Sequence, residues 1–250
     1  MPTALPGTRR VEQIMGMPIV VDVRDDDVDD GPLERVFGWL RSVDATFSTY
    51  RDDSVISRLR RGETTREEAP PDVRSVLDRC DELRVETDGY FDAHYAGRLD
   101  PSGLVKGWAV DRAAQILDEA GIANYAVNAG GDIRLRGAAR PDAAWRVGIQ
   151  HPLSSREVAA VVVGTDLAVA TSGEYARGTH VLDPHSGEPP DGTLSVTFTG
   201  PDLATADAYA TAAFAMGGEG PRWAATRLGY ESLTITTDRR VLVTPGFPRG

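Results

Sequence analysis

The chain has one cysteine, Cys80, and one lysine, Lys106, in 250 residues. A single thiol excludes an internal disulfide and any cysteine-based zinc centre. No apolar run reaches the length needed to cross a bilayer, so no transmembrane segment is expected. Net positive charge is lacking too: the formal charge is -11, the wrong sign for a nucleic-acid binder. An anionic ligand must then be drawn in locally, by a metal ion or by backbone amides, because the overall field repels it. Residues 1–10 lack the apolar stretch of a secretory signal. As written the sequence reads as cytoplasmic, and as extracytoplasmic if a leader has been removed.

What is present suffices for a substantial core, with 41% hydrophobic residues. Residues 9–24 read as a strand pair turning over Met15-Gly16-Met17-Pro18. Leu33, Val36, Phe37, Leu40 and Val43 form a helical stripe, followed by a loop over 44–50 and a short helix opened by Asp53-Ser54. Residues 71–86 read as an amphipathic helix with Cys80 on its apolar face. A further helix is expected from Lys106 to Ala120. Short strands follow at Tyr125–Asn128, Ile133–Leu135, Trp145–Ile149, Val158–Val163, Leu167–Thr171, His180–Leu182 and Leu194–Thr199. Leu203–Met216 and about 222–228 read as helices, and a final hairpin turns at Asp238-Arg239. The acidic run 25–30 reads as a solvated loop. Without a βαβ rhythm the class is α+β. No linker divides the chain, so one domain over 1–250 is expected, its parts 10–120 and 121–250 intertwined.

Lys106 lies in Asp100-Pro101-Ser102-Gly103-Leu104-Val105-Lys106-Gly107-Trp108-Ala109-Val110-Asp111. Flanking glycines allow close backbone approach to a ligand, and an ammonium at the mouth of a helix suits a phosphate or carboxylate. Asp207 and Thr211 fall one turn apart on one helix face, a carboxylate and a hydroxyl that could form an edge for Mg²⁺. The bland alternatives are a cap or salt-bridge partner and a core-facing threonine. In Asn128-Ala129-Gly130-Gly131-Asp132 the glycines could expose amides to an oxygen-rich ligand or simply turn a hairpin. Gly130-Gly131 is not the dinucleotide fingerprint, since the spacing is wrong and no helix follows. His180, near Asp183, could move a proton or sit buried in a strand; His185 reads as a turn residue. Ser172 has no nucleophile elbow. Tyr50, a loop aromatic, could stack on a planar ring or cover core.

Taken in order, these segments resemble the ApbE family, the FAD:protein FMN transferases. The similar stretches are Met15-Gly16, Phe47–Tyr50 with Asp53-Ser54, Gly89–Asp92, Gly103–Asp111, Val127–Ile133, Trp145–Pro152, Ala170–Tyr175, His180–Gly187 and Ala206–Phe214. The resemblance implies a duplicated T-fold-like core that holds FAD beside Mg²⁺. It places the metal on Asp207, Thr211 and the backbone carbonyl of Val105. The FAD site would be lined by Met15, Tyr50, Lys106, Asp111, Gly130, Gly131, Asp132, Thr171 and Ser172, with His180 near the phosphates. The implied activity moves FMN from FAD to a serine or threonine of an acceptor flavoprotein, releasing AMP, with His180, Asp207 or Asp183 as the candidate bases. The alternatives are an FAD pyrophosphatase yielding FMN and AMP, and an FAD-binding protein without turnover. Two departures stand out: the stretch from Phe91 to Pro101 is short, and no cysteine precedes residue 80 to carry a lipid.

Overall fold

The computed structural model describes residues 7–173 and 181–250. Strands β1 (Thr8–Ile14) and β2 (Met17–Val23) form the expected hairpin. Its turn places Met15 at φ 54 and Gly16 at φ 72. Helix α1 (Asp30–Phe47) starts with the Asp29 carboxylate accepting from the Gly31 amide. It runs into the stretch expected as loop, because Phe47 is buried against the Trp108 ring at 5.3 Å. Asp25 is not simply solvated either: it accepts from the amides of Ala123 and Asn124 at 3.3 and 2.7 Å.

Helices α2 (Val55–Arg60) and α3 (Pro71–Glu86) lie where the sequence pattern puts them, α2 capped by the Ser54 hydroxyl. Cys80 is in the core, where burial pushes its thiol up to about 12. Helix α4 (Ser102–Glu119) begins ahead of Lys106, with Asp100 Oδ1 accepting from the Ser102 amide at 3.1 Å. Lys106 thus stands in the second turn and not at the mouth.

Strands β3 (Tyr125–Ala129), β4 (Asp132–Arg136), β5 (Trp145–His151), β6 (Ser154–Gly164), β7 (Leu167–Gly173) and β8 (Thr193–Gly200) follow. Then come helices α5 (Leu203–Ala215) and α6 (Gly220–Ala224), and strands β9 (Glu231–Thr236) and β10 (Val241–Val243). Helix α6 sits earlier than expected because Pro221 starts it; 225–228 is turn and Leu228 is 96% exposed. The strand expected at His180–Leu182 is not formed at Val181 or Leu182, and His180 lies outside the described residues. There the backbone serves the Asp183–Glu188 turn, with Asp183 N donating to Glu188 O and Gly187 N to Asp183 O.

The main sheet has the order β1-β2-β3-β4-β7-β8-β9-β10, with antiparallel neighbours throughout. With six helices among the described residues, the class is α+β. Strand alternation separates two cores. Ala168, Ala170, Val196 and Phe198 pack with α4 and α5, whereas Val169, Leu233 and Ile235 join Ile149 and Val162 of the separate β5–β6 ribbon.

Helices α4 and α5 meet almost backbone to backbone. A Cβ added at Gly107 would lie 2.5 Å from Leu203 O and 2.8 Å from Ala204 Cα. The glycine that looked free for a ligand is instead taken up by the next helix. Gly107→Ala should therefore cost about 2 kcal/mol through overpacking, beyond what helix propensity returns. Gly38→Ala on α1, where nothing lies within 4 Å, should raise stability by about 0.5–1 kcal/mol. Denaturant midpoints of the two variants should move in opposite directions.

Candidate functional site

Three elements converge on the single lysine. The Lys106 ammonium contacts Asp132 Oδ2 and lies 3.5 Å from Asp207 Oδ1. Asp132 opens β4 directly after the Gly130-Gly131 turn, whose residues take φ 62 and 107. A tight hairpin is what those glycines make; Asn128 Oδ1 accepts from the Gly131 amide at 2.9 Å within it. Asp132 Oδ1 accepts from the Thr171 amide at 3.0 Å, which fixes the carboxylate against β7. Asp207 is 4% exposed. Its Oδ2 is buried without a hydrogen-bond partner among the described residues. Burial pushes its carboxyl up, Lys106 pulls it down, and Asp132 adds to the rise. Two buried carboxylates thus share one ammonium, an arrangement that is costly unless further positive charge arrives.

One turn further along α5, Thr211 Oγ1 meets Ser172 Oγ at 3.3 Å. Beside Ser172, Thr171 exchanges a hydroxyl hydrogen bond with Thr197 at 2.9 Å. This hydroxyl pairing was not foreseen, although adjacent Thr171 and Ser172 on a strand must point to opposite faces. Val105 is buried in the main core. The α4 residue standing against Thr211 is Gly103, whose Cβ would lie 3.9 Å from Thr211 Oγ1. Among the described residues no three His, Cys, Asp or Glu groups are placed to hold a metal together. A cation here would rest on one carboxylate plus neutral oxygens.

Other expected site residues are not brought to this cluster by direct contact. Asp111 turns to α5, accepting from Leu203 N at 2.9 and 3.0 Å and Ala204 N at 2.8 Å. It takes up the first amides of that helix, beside the Asp202 cap on the Thr205 amide, a reason independent of any nucleotide. Tyr50 is 96% exposed. Met15 turns the first hairpin and packs partly on the core; the neighbouring Met17 Sδ would lie 2.8 Å from a Cβ at Gly130, so the two hairpin turns share one end of the sheet. His180 lies outside the described residues. Asp183 accepts from the His185 amide and the Ser186 hydroxyl, both at 2.9 Å. Burial acts to raise its carboxyl, but those two bonds outweigh it and hold the group below the usual range. It is a turn former. His185 packs edge-on against Tyr90 at 4.6 Å, also a turn residue.

Residues 15–97 and 93–234 match the model of the ApbE family. The chain belongs to that family. It is 39% identical over 131 residues to the FAD:protein FMN transferase of Vibrio cholerae serotype O1, covering 48% of this chain and 39% of that protein. It is 30% identical over 221 residues to the FAD:protein FMN transferase of Rhodobacter capsulatus, covering 84% of this chain and 39% of that protein. The matches thus span about two fifths of these ApbE relatives. Among solved structures, the flavin transferase ApbE from Vibrio cholerae superposes with a TM-score of 0.85 at 25% identity, over 96% of this chain and 97% of that one. The ApbE protein from Thermotoga maritima gives a TM-score of 0.84 at 22% identity, over 97% and 99%. The ApbE fold therefore extends over nearly the whole chain.

Burial pushes the Asp111 carboxyl up to about 6, opposed by the amides of Leu203 and Ala204. The folded protein then holds this proton more tightly than the unfolded chain, whose value is about 4. Unfolding releases a proton between those values, so this group's contribution to stability falls as pH rises from about 4 to about 6. Asp111→Asn should flatten that segment of the melting temperature against pH, relative to the parent.

Proposed function

We propose that the chain is a Mg²⁺-dependent FAD:protein FMN transferase. The observation that carries this reading is the buried, partnerless Oδ2 of Asp207, one turn from Thr211 and beside the Lys106 ammonium. An orphaned anionic oxygen next to a hydroxyl is a fitting edge for a hard cation that takes oxygen ligands. Asp207 and Thr211 would hold Mg²⁺, with a carbonyl from the first turn of α4. The resemblance puts that carbonyl at Val105; Gly103, in the first turn of α4, is the residue whose Cβ position lies 3.9 Å from Thr211 Oγ1. Bound there, the ion would neutralise charge on the diphosphate of FAD.

In the reaction, the hydroxyl oxygen of an acceptor serine or threonine attacks the FMN-side phosphorus. The bond from that phosphorus to the bridging oxygen breaks, AMP leaves, and the hydroxyl proton passes to a base. Such displacement needs alignment and electrostatics more than many catalytic groups. Lys106, anchored by Asp132, adds a local positive charge to a protein whose overall field repels FAD. Asp111 is assigned to holding α5 in place. His180 keeps its proposed place near the phosphates. The base is drawn from His180, Asp207 and Asp183; the oxygens of Asp183 are engaged in its own turn.

The test is incubation with FAD, Mg²⁺ and an acceptor flavoprotein. Covalent flavin fluorescence on the acceptor supports transfer; free FMN would indicate a pyrophosphatase, and intact bound FAD a binder without turnover. Asp207→Asn should lower transfer at least about a hundredfold while leaving the circular dichroism spectrum unchanged. Full transfer by that folded variant would remove Asp207 from the mechanism.

A further inference from the structure

Lys106 faces two carboxylates that are held differently. Asp132 is pinned on its other oxygen by the Thr171 amide at 3.0 Å and touches the ammonium more closely than Asp207 does. Asp207 has the ammonium 3.5 Å from Oδ1 and no hydrogen-bond partner on Oδ2. A lysine stem has four flexible carbons and a compact charge, so it can release one partner and keep another. The three side chains sum to one negative charge, in surroundings that leave Asp132 3% and Asp207 5% exposed at the side chain.

We propose that Lys106 is a built-in counter-cation of Asp207, tethered by Asp132, which a divalent cation must displace from Asp207 when it binds. This inference rests on the cation reading above. With the cation on Asp207 and Thr211, the cluster changes from one net negative to one net positive charge. The displaced ammonium keeps Asp132 as its partner and becomes available to an anionic diphosphate. Lys106 therefore opposes the cation when it binds alone and helps the nucleotide once the cation is present. Asp132 is a positioning residue: without it, the tether that holds the ammonium back from Asp207 is lost.

Binding of Mn²⁺ alone, with no FAD, tests this by the electron paramagnetic resonance signal of the free ion. Lys106→Met should bind Mn²⁺ roughly tenfold tighter than the parent, because a positive charge beside the site is gone. Asp132→Asn should bind it roughly tenfold more weakly, although no proposed metal ligand has changed. Asp207→Asn should lose binding. If Asp207→Asn binds Mn²⁺ like the parent, the cation reading itself fails. If Asp207→Asn loses binding but Lys106→Met binds no tighter than the parent, the cation reading stands and the counter-cation proposal is overturned. Should Lys106→Met fold only with Mn²⁺ present, that dependence supports the proposal; Asp132→Asn binding as tightly as the parent would still overturn it.

Discussion

The site depends on how closely two helices approach. Gly107 gives α4 no side chain where α5 begins, and Asp111, one turn later, accepts the first amides of α5. Contact and cap together fix the height and rotation of α5 against α4. Lys106 and Asp207 project from these two helices, so the same junction sets their separation. A larger residue at position 107 would push apart not just two helices but the ammonium and the carboxylate they carry.

The sheet supplies the third member. Asp132 is delivered by a hairpin whose two glycines take positive φ, and β7 meets it through a backbone amide. Everything that fixes the carboxylates is backbone hydrogen bonding or close packing, and their opposing charge comes from one long side chain. In an acidic protein this gathers two carboxylates around one ammonium at a single point, which favours a cation there before any anion.

Local pattern carried much of the fold. Residues 71–86, the first hairpin, the α5 helix and most strand positions follow from apolar spacing and turn residues alone. The Asp207–Thr211 pair was equally legible, because helical spacing alone puts residues four apart on one face. The start of α4 was not, since Pro101 and Gly103 read as loop; only the Asp100 carboxylate bonding to Ser102 explains why the helix begins there. Asp111 was placed in the FAD site by resemblance alone; its bonds to the amides of Leu203 and Ala204 leave no local signature in the sequence. The Lys106–Asp132–Asp207 cluster joins three elements far apart in the chain, so local pattern singled out its members without showing that they meet. Gly103 against Thr211 was hidden for the same reason, whereas Val105 entered only through its place in the family resemblance.

The lone lysine has one more consequence. Surface pairs such as Arg66 with Asp78 and Asp81, or Arg79 with Glu86, are made with guanidinium groups, which stay charged throughout the range in which proteins fold. Guanidinium groups resist the acylating and reductive-alkylating reagents that attack amines. The chain therefore offers such reagents a single side-chain target, and that target stands between Asp132 and Asp207. For this molecule, side-chain amine chemistry of any kind, whether by a laboratory label or a cellular acyl donor, is chemistry performed on the site itself.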